Sequence, residues 1–420
     1  MVGLFVIALT TLFVFAEAAR RTYRRLTNGE ADVKIGINLL GLLPNVIGGG
    51  ETYIRGLLYG LNRLDTDDEY VLFTNRDNHP TFADIGPRFR RVLYDFSAQW
   101  NVPSLAMTRV VGEQFYLPWR AAIDGLDVIH STLDTVPLFA RCPSVMTLHD
   151  VNFAAMPEAT NPVENFIART LVKTSARRAR AILTVSEFSR REIAATLELD
   201  RTRIFAVHNG GLRDAPRSVK WPEVASRIKV QEPYILAFSS INPHKNIGNL
   251  LRAFARVRLQ QQVQLVVVGR LPLGGESLVA LARTLGIENK VSFTGYLKEE
   301  EKAQVLQHAR MLAFPSLYEG FGLPVIEAMS CDVPVACSNI AALPEVAGNA
   351  ARMFDPRNVT EITAALEEVY SDEALRARLV AAGRINARRF SWDRTARLTL
   401  QVYRHAAGTE LAEPLPSERP

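Results

Sequence analysis

The chain has 420 residues, of which 48% are apolar and 22% are charged, a composition typical of a folded globular protein with about two domains. Its net charge of +5 comes without a run of lysines and arginines interleaved with aromatic residues, which argues against a nucleic-acid partner. The three cysteines, Cys142, Cys331 and Cys337, show no CxxC or Cys/His spacing, which argues against a disulfide framework and a zinc site.

The first thirty residues contain the one membrane-like segment of the chain. Val2 to Ala16 carries no charge, and four arginines follow it between Arg20 and Arg25. This order predicts a short anchor whose carboxyl side stays in the cytoplasm, because a secretory signal has its positive charges before the apolar run. About 15 apolar residues span only roughly 22 Å as a helix, against a hydrocarbon core of ~30 Å. An interfacial helix or a misassigned start codon is therefore an equal alternative to an anchor.

From Ala31 onward, short β-branched runs alternate with longer amphipathic stretches, which is typical of βαβ units around a parallel sheet. A first series predicts strands at Val33–Leu39, Tyr70–Thr74, Asp127–His130, Ser144–Leu148, Ala181–Val185 and Ile204–Val207. Its main helices are predicted at Glu51–Leu64, Pro162–Arg178 and Glu187–Leu199, the last capped by Ser186. A second series predicts strands at Tyr234–Phe238, Gln264–Val268, Lys290–Phe293, Met311–Phe314 and Val333–Ala336.

The periodicity fails between Gly210 and Pro233, where three prolines and scattered charge predict a linker. The predicted division is a hydrophobic segment with a basic flank at 1–30, an acceptor domain at 31–212, a linker at 213–232, a donor domain at 233–390, a helix packing back on the first domain at 391–407, and a disordered tail at 408–420. Two doubly wound α/β domains that face each other leave a cleft at the carboxyl ends of their strands.

The stretch SLYEGFGLPVIEAMSCDVPV follows a predicted strand and carries two carboxylates, Glu319 and Glu327, eight residues apart. Gly320 and Gly322 let the backbone approach a ligand closely, and Pro324 suits the first position of a helix. The amides of this loop and of the helix start form an anion site, most simply a phosphate site. The two carboxylates accept hydrogen bonds from vicinal hydroxyls on either side of it. The ligand implied is a nucleoside diphosphate sugar.

EGFGLPVIEA, with its Glu-x7-Glu spacing, resembles glycosyltransferase family 4, whose members are retaining enzymes of the GT-B fold. The resemblance covers roughly 33–403 and includes the segments at Gly48–Gly50, Thr147–Asp150, Val185–Ile193, His208–Gly211, Pro243–Asn246, Val266–Gly269 and Phe293–Leu297. It implies transfer of a hexose from a GDP- or UDP-linked donor to a hydroxyl of a glycan or lipid-linked acceptor, with the anomeric configuration kept. The PHKN variant is similar to a subgroup that includes mannosyltransferases of polysaccharide assembly.

The resemblance also implies roles for individual residues. His149 is expected to contact the donor sugar near the reacting carbon, Lys245 to neutralise the leaving diphosphate, and Glu319 to hold the hexose or the adjacent phosphate. Glu327 is assigned to the ribose, and further donor contacts are expected at Gly49, Gly50, Ser240, Gly269, Gly320, Phe321, Gly322 and Leu323. Ser240 departs from the family, which often has an arginine there, and His244 is considered as a further source of positive charge.

The sequence predicts the residues that contact the acceptor less clearly than those that contact the donor. His130 and Asp150 are weaker candidates there, and a purely structural role for His130 is weighed equally. Arg169, Lys173 and Arg177 share one helix face, which is interpreted as solvated rather than as a surface for anionic lipid, although a membrane surface is retained as a possible partner.

No Asp-x-Asp motif stands at a strand end, so neither a metal nor another cofactor is expected.

Three other functions are considered. A GT-B epimerase or phosphorylase would share the same cleft, and a catalytically silent nucleotide-sugar binding protein would fit the departure at Ser240. A nicotinamide oxidoreductase is disfavoured because neither half has G-x-G-x-x-G followed by a suitably spaced acid.

Overall fold

The computed structural model describes residues 32–44, 48–97, 108–152, 162–212, 219–240, 243–259, 263–271 and 278–409, with only the backbone described for 162–168. The predicted hydrophobic segment at 1–30 and most of the predicted tail, 410–420, lie outside this part of the chain. Among the helices within it, none has both the length and the apolar character needed to cross a membrane.

The first sheet has seven parallel strands in the order β3-β2-β1-β4-β5-β6-β7. They are β1 Lys34–Asn38, β2 Glu69–Thr74, β3 Phe89–Leu93, β4 Val128–Ser131, β5 Ser144–Thr147, β6 Ala181–Thr184 and β7 Ile204–Ala206. The six predicted strands are confirmed with small shifts at their ends. The prediction missed β3, an edge strand in which only Phe89 is buried.

The second sheet has six parallel strands in the order β10-β9-β8-β11-β12-β13. They are β8 Tyr234–Phe238, β9 Gln264–Val268, β10 Val291–Gly295, β11 Met311–Phe314, β12 Val335–Ser338 and β13 Ala351–Phe354. Strand β12 begins two residues later than predicted, and β13, an edge strand, was missed. In both sheets the strand order reverses beside the first strand, which places a ligand crevice at the carboxyl ends.

Helices cover the faces of both sheets. They are α1 Gly49–Arg63, α2 Leu117–Ile123, α3 Pro162–Arg178, α4 Glu187–Leu197, α5 Trp221–Ile228, α6 Ile247–Phe254, α7 Leu278–Thr284, α8 Glu299–Gln307, α9 Leu323–Ser330, α10 Leu343–Ala347, α11 Val359–Ser371, α12 Glu373–Ala387 and α13 Trp392–Ala407. Helix α5 lies inside the predicted linker, and its buried Val224 and Ile228 belong to the core of the second sheet.

Helix α13 returns from the second domain and packs against α1 of the first. A Cβ at Gly56 would lie 2.2 Å from the Trp392 ring, and one at Gly60 would lie 2.2 Å from the Trp392 carbonyl oxygen. The two glycines therefore allow the helix backbones to approach closely. Trp392 Nε1 also donates to the Gly211 carbonyl at 2.8 Å, and Tyr403 lies in the core of the first sheet.

Candidate active site

The loop after β11 and the start of α9 form the centre of the site. Gly322, immediately before the helix, has φ of 108°, and a Cβ there would lie 2.6 Å from Leu343 Cδ2. Only glycine fits this backbone without strain. The helix begins at Leu323, one residue before the start predicted at Pro324, and ends at Ser330. Its first amides thus point toward the carboxyl edge of the second sheet.

Gly320 brings this loop into contact with the first domain. Its carbonyl oxygen accepts hydrogen bonds from Ser186 Oγ at 2.6 Å and Ser189 Oγ at 3.1 Å. A Cβ on Gly320 would lie 2.8 Å from the His149 carbonyl oxygen and 3.1 Å from Asp150 Oδ2. Ser186 also caps α4, accepting from the Ser189 amide at 3.0 Å, as predicted. The absent side chain of Gly320 therefore lets the two domains meet beside the TLHD segment.

Glu345 is a second link between the domains, and the sequence interpretation missed it. Its carboxylate accepts from the amides of Glu187 at 2.8 Å and Phe188 at 2.9 Å, and lies 2.7 Å from His208 Nε2. Burial alone would raise the pKa of Glu345, but these hydrogen bonds outweigh burial and hold the pKa below its ordinary value. The only sequence signal was the start of α4, whose amides need an acceptor besides Ser186.

Lys245 and Glu319 form a close ion pair at the carboxyl edge of the second sheet. Lys245 Nζ lies 2.6 Å from Glu319 Oε1, with side chains 17% and 12% exposed, and 5.1 Å from the centre of the Phe314 ring. Asn246 stands at the N-cap of α6, but its side chain makes no capping hydrogen bond. Its side-chain amide instead donates to the carbonyls of Pro315 at 3.0 Å and Pro356 at 2.8 Å, which fixes the loop leading to Glu319.

His149 follows β5 and reaches the same place from the first domain. Its Nε2 has no hydrogen-bond partner among the described residues, and its ring meets the Tyr53 ring edge-on at 4.9 Å. Burial lowers the pKa of His149 to about 4, so the imidazole is neutral at pH 7. A neutral ring with a free Nε2 either donates or accepts one hydrogen bond, according to its tautomer.

The groups beside His149 have shifted pKa values as well. Burial raises the pKa of Asp150, with a further contribution from the charge of Glu319, while the Asn152 amide and Lys245 oppose the shift. Burial lowers the pKa of His244. His244 is therefore neutral at pH 7 and adds no positive charge, contrary to the possibility considered from the sequence.

Asp134, on the loop after β4, is another acidic group that the sequence interpretation missed. Its side chain is exposed, yet protein surrounds it closely enough that desolvation and the charge of Asp150 raise its pKa to about 6 against the effect of Arg109. Arg109 Nε donates to Glu113 at 3.0 Å, and the other oxygen of Glu113 accepts from Thr135 at 2.9 Å. Nothing in the sequence pattern distinguished Asp134 from an ordinary loop acid.

Glu327, on the second turn of α9, is 1% exposed, and the structure pairs it with a lysine that the sequence did not reveal. Lys302 Nζ, from α8, lies 2.8 Å from each carboxylate oxygen of Glu327 and 3.7 Å from Glu299. Burial lowers the pKa of Lys302, but the two carboxylates outweigh it, so the pKa is raised. Lys302 is therefore charged at neutral pH.

The predicted glycine and serine contacts lie at the rim of the same crevice. Gly49 starts α1, with Gly50 next to it, and a Cβ on Gly49 would be 3.9 Å from Leu323 Cδ1 in the second domain. Gly269, at the end of β9, has φ of 117°, and a Cβ there would be 2.2 Å from the Ser239 carbonyl. Ser240 follows directly after Ser239, beyond the end of β8.

Two predicted residues point into the protein. Phe321 is 3% exposed, with its ring 5.6 Å from Phe390, so only its backbone can face a ligand. His130 is fully buried, with Nε2 2.7 Å from Thr147 Oγ1 and Nδ1 2.6 Å from the Tyr403 hydroxyl. These contacts occupy both ring nitrogens, which favours the structural alternative for His130.

The arrangement therefore gathers His149, Asp150, Lys245, Glu319 and Gly320 where the two domains meet, with Glu327 farther along α9. Within the described ranges, no three His, Cys, Asp or Glu side chains are placed to hold a metal ion.

Comparisons with known proteins agree with this organisation. Residues 47–210 match the family model described as Glycosyltransferase Family 4, and residues 223–386 match Glycosyl transferases group 1. O-antigen chain mannosyltransferase B of Escherichia coli is 32% identical over 266 residues, which are 62% of this chain and 70% of that protein. The MMP alpha-(1->4)-mannosyltransferase of Mycolicibacterium hassiacum is 35% identical over 239 residues, about half of each chain.

Solved structures show the same fold. The structure of Anabaena Alr3699/HepE in complex with UDP-glucose superposes with a TM-score of 0.67 at 18% identity, covering 90% of this chain and all of the other. The predicted GT-B architecture of two Rossmann-like domains is thus confirmed.

Proposed function

The chain belongs to glycosyltransferase family 4 and is a nucleotide-sugar-dependent glycosyltransferase, and from this we propose that it transfers a mannosyl or similar hexosyl group, with retention, to a hydroxyl of a glycan or lipid-linked acceptor. The two relatives described above are both named as mannosyltransferases, which supports mannose as the transferred sugar. The HepE structure contains UDP-glucose, so both GDP- and UDP-linked hexoses belong among the donors to be tested.

The observation that carries the proposal is the Lys245–Glu319 pair next to the contact of Gly320 with the His149–Asp150 segment, where His149 Nε2 has no partner among the described residues. An ammonium group has three N–H donors, and Glu319 Oε1 takes one of them. The others are available for the oxygens of a diphosphate placed against the first amides of α9. His149 Nε2 then faces the sugar, on the other side of the phosphate from the ribose.

The reaction breaks the bond between the anomeric carbon and the diphosphate oxygen and forms a bond from that carbon to the acceptor oxygen on the same face. The acceptor proton passes to the departing diphosphate oxygen, so no enzyme carboxylate has to act as nucleophile. Negative charge grows on the diphosphate, where Lys245 and the helix amides lower its energy. Glu327, held by Lys302, accepts hydrogen bonds from the ribose hydroxyls.

The acceptor is proposed to enter from the first domain, past Asp150 and Asp134. Both acids line the carboxyl edge of that sheet and accept hydroxyl hydrogen bonds when ionised. No metal ion is assigned to the reaction. Activity that survives exhaustive EDTA treatment would support this proposal, and activity restored only by Mg²⁺ or Mn²⁺ would contradict it.

The test is a donor panel of GDP- and UDP-linked hexoses with and without a mannoside acceptor, followed by release of nucleoside diphosphate. Release that requires acceptor, together with a product whose anomeric configuration matches the donor, is the expected result. Lys245→Met and Glu319→Gln are expected to lower kcat at least tenfold, whereas Glu288→Gln, an exposed acid on the second domain, serves as the matched control. Release that is independent of acceptor, or an inverted product, would refute the proposal.

A further inference from the structure

An exposed apolar ridge lies on the first domain, away from the cleft. The helical stretch 108–123 packs Gly112, Leu117 and Ala121 inward, with a π-helical segment at Gly112–Tyr116. Residues 111, 115 and 119 share the opposite face, at four-residue spacing. Together with two neighbours they form the apolar ridge, whose side chains are 43% to 65% exposed: Val110, Val111, Phe115, Trp119 and Phe139. Five large apolar side chains at such exposure indicate an interaction surface.

The ridge runs along the side of the first sheet. Its beginning is near the cleft, because a Cβ on Gly41, after β1, would lie 2.8 Å from Arg109 Cζ. The stretch ends just before β4, at the amino edge of the sheet, where Asp127 accepts from the Lys34 amide at the start of β1. A flat partner that contacts the whole ridge would therefore lie along the side of the domain without covering the cleft.

A cavity lined by arginines opens at the same amino edge. It has a volume of about 330 Å³ and is lined by Cys142, Pro143, Ala179 and four arginines, which form the arginine pocket: Arg141, Arg178, Arg180 and Arg203. No acidic residue lines it, and none of the four guanidinium groups pairs with a carboxylate in the described part of the chain. Four guanidinium groups around one cavity that no carboxylate lines favour an anion with several oxygen atoms, although the charge of Asp200 acts on Arg203 from nearby.

Backbone carbonyls fix two of these guanidinium groups in place. Arg178 Nε donates to the Leu138 carbonyl at 3.2 Å, and its Nη2 donates to the Ala140 carbonyl at 3.0 Å. Arg203 Nη2 donates to carbonyls at the end of α3, including that of Arg177 at 3.1 Å. The pocket is therefore preorganised, because its charges do not depend on long, freely moving side chains alone.

The apolar ridge and the arginine pocket adjoin each other. Phe139 lies between the two residues whose carbonyls hold Arg178, and its ring is stacked 6.0 Å from that of Phe115. The neighbouring basic residues of α3 behave differently. Lys173 lies 2.8 Å from Glu198, and Arg177 lies 3.8 Å from the same carboxylate, so their charge is largely balanced.

We propose that this face docks on an anionic membrane, with a lipid phosphate in the arginine pocket and the apolar ridge in the interfacial layer of the bilayer. A lipid surface presents phosphate and hydrocarbon side by side, which matches the adjoining ridge and pocket. Trp119, at the end of the ridge, suits the membrane interface, where its ring is buried and its N–H stays hydrated. The proposal does not depend on which sugar the enzyme transfers.

The test uses the full chain with vesicles of phosphatidylcholine alone and with 30% phosphatidylglycerol. Because residues 1–30 are present in every variant, the decisive readout is local: a blue shift of Trp119 emission and its shielding from iodide. The signal is expected with anionic vesicles and is expected to disappear in Trp119→Phe. The double variant Arg141→Gln/Arg180→Gln is expected to need roughly tenfold more anionic lipid for the same shift.

Matched controls separate this face from general charge and hydrophobicity. Arg378→Gln/Arg388→Gln removes two exposed charges, one within α12 and one directly after it, and Ile385→Ala removes an exposed apolar side chain from α12. Both controls are expected to respond as the unaltered chain does. Trp119 emission that is unchanged on adding anionic vesicles, or a double arginine variant that behaves as its control, would overturn the proposal. Thermal stabilisation by inorganic phosphate that requires the pocket arginines, without any vesicle response, would assign the pocket to free phosphate instead.

Discussion

Replacing Lys302 by methionine is the sharpest test of how the donor end of the site is built. The substitution keeps the length of the side chain but removes the ammonium group that lies 2.8 Å from both oxygens of Glu327. Glu327 is 2% exposed in its side chain and Lys302 is 16% exposed, so water can replace the lost partner only in part. Removing one partner of a buried ion pair costs about 3 to 5 kcal/mol, and the residual exposure of Lys302 favours the lower end, about 3 kcal/mol.

Two measurements separate stability from function. Denaturant unfolding is expected to show the loss for Lys302→Met and a much smaller one for Lys290→Met, the same change at an exposed position. The double variant Lys302→Met/Glu327→Gln is expected to lose at least about 1 kcal/mol less than the sum of the single losses, because the two residues interact directly. Donor KM is expected to rise, with kcat changing less, and Lys302→Arg is expected to restore part of the affinity.

The reasoning fails on either of two results. If Lys302→Met unfolds at the same denaturant concentration as Lys290→Met, the pair contributes nothing to the fold. If it is destabilised but keeps the donor KM of the unaltered enzyme, Lys302 does not position Glu327 for the donor.

Three further predictions concern groups with shifted pKa values. His149→Phe, which removes the free Nε2, is expected to lower kcat/KM roughly 10- to 100-fold with the thermal midpoint nearly unchanged; full activity would exclude a sugar contact. Burial and the nearby His149 lower the pKa of His130 to about 3. Neutral His130 therefore contributes fully to the free energy of unfolding above pH 6.5. This contribution is lost as the pH falls toward 3, by about 1.4 kcal/mol per pH unit. Unfolding at pH 7, 6 and 5 is therefore expected to show a shallower slope for His130→Gln, and equal slopes would contradict this. Asp134, with a pKa raised to about 6, favours the fold below pH 4 and loses that effect as the pH rises through 6, so Asp134→Asn is expected to raise the thermal midpoint at pH 8 but not at pH 4.

The sequence predicted the fold well where a strand is buried on both faces. Strands β8, β9 and β11 have the predicted bounds, because continuous apolar runs bounded by polar residues leave little freedom in placing them. Strands β3 and β13 were missed because arginines interrupt their apolar runs, whereas the two other edge strands, β7 and β10, lack such an interruption and were predicted. In β3, two exposed or half-buried arginines interrupt the apolar pattern on which the prediction depended.

The acidic residues of the site could be predicted from the sequence, but the residues that pair with them could not. Glu319 and Glu327 stand in one short motif, but Lys302 stands 25 residues before Glu327, on a different helix. Glu345 is even farther, 158 residues from the Glu187 amide that it accepts from. The start of a helix predicts that its first amides need an acceptor, but the local sequence does not identify the distant residue that supplies it.

The two carboxylates of the motif differ in what their lysines are free to do. The Lys302–Glu327 pair is nearly closed to solvent, and the lysine contacts Glu299 as well, so its ammonium group has little remaining capacity. The Lys245–Glu319 pair is more open and stands beside His149 and the domain contact at Gly320. On the proposed function, a diphosphate between the two acids therefore competes with Glu319 for Lys245, whereas it leaves Lys302 in place. Glu319 then binds Lys245 until the donor arrives, and afterwards its carboxylate accepts a hydrogen bond from the sugar. Glu319 therefore has two roles, whereas Glu327 has only one.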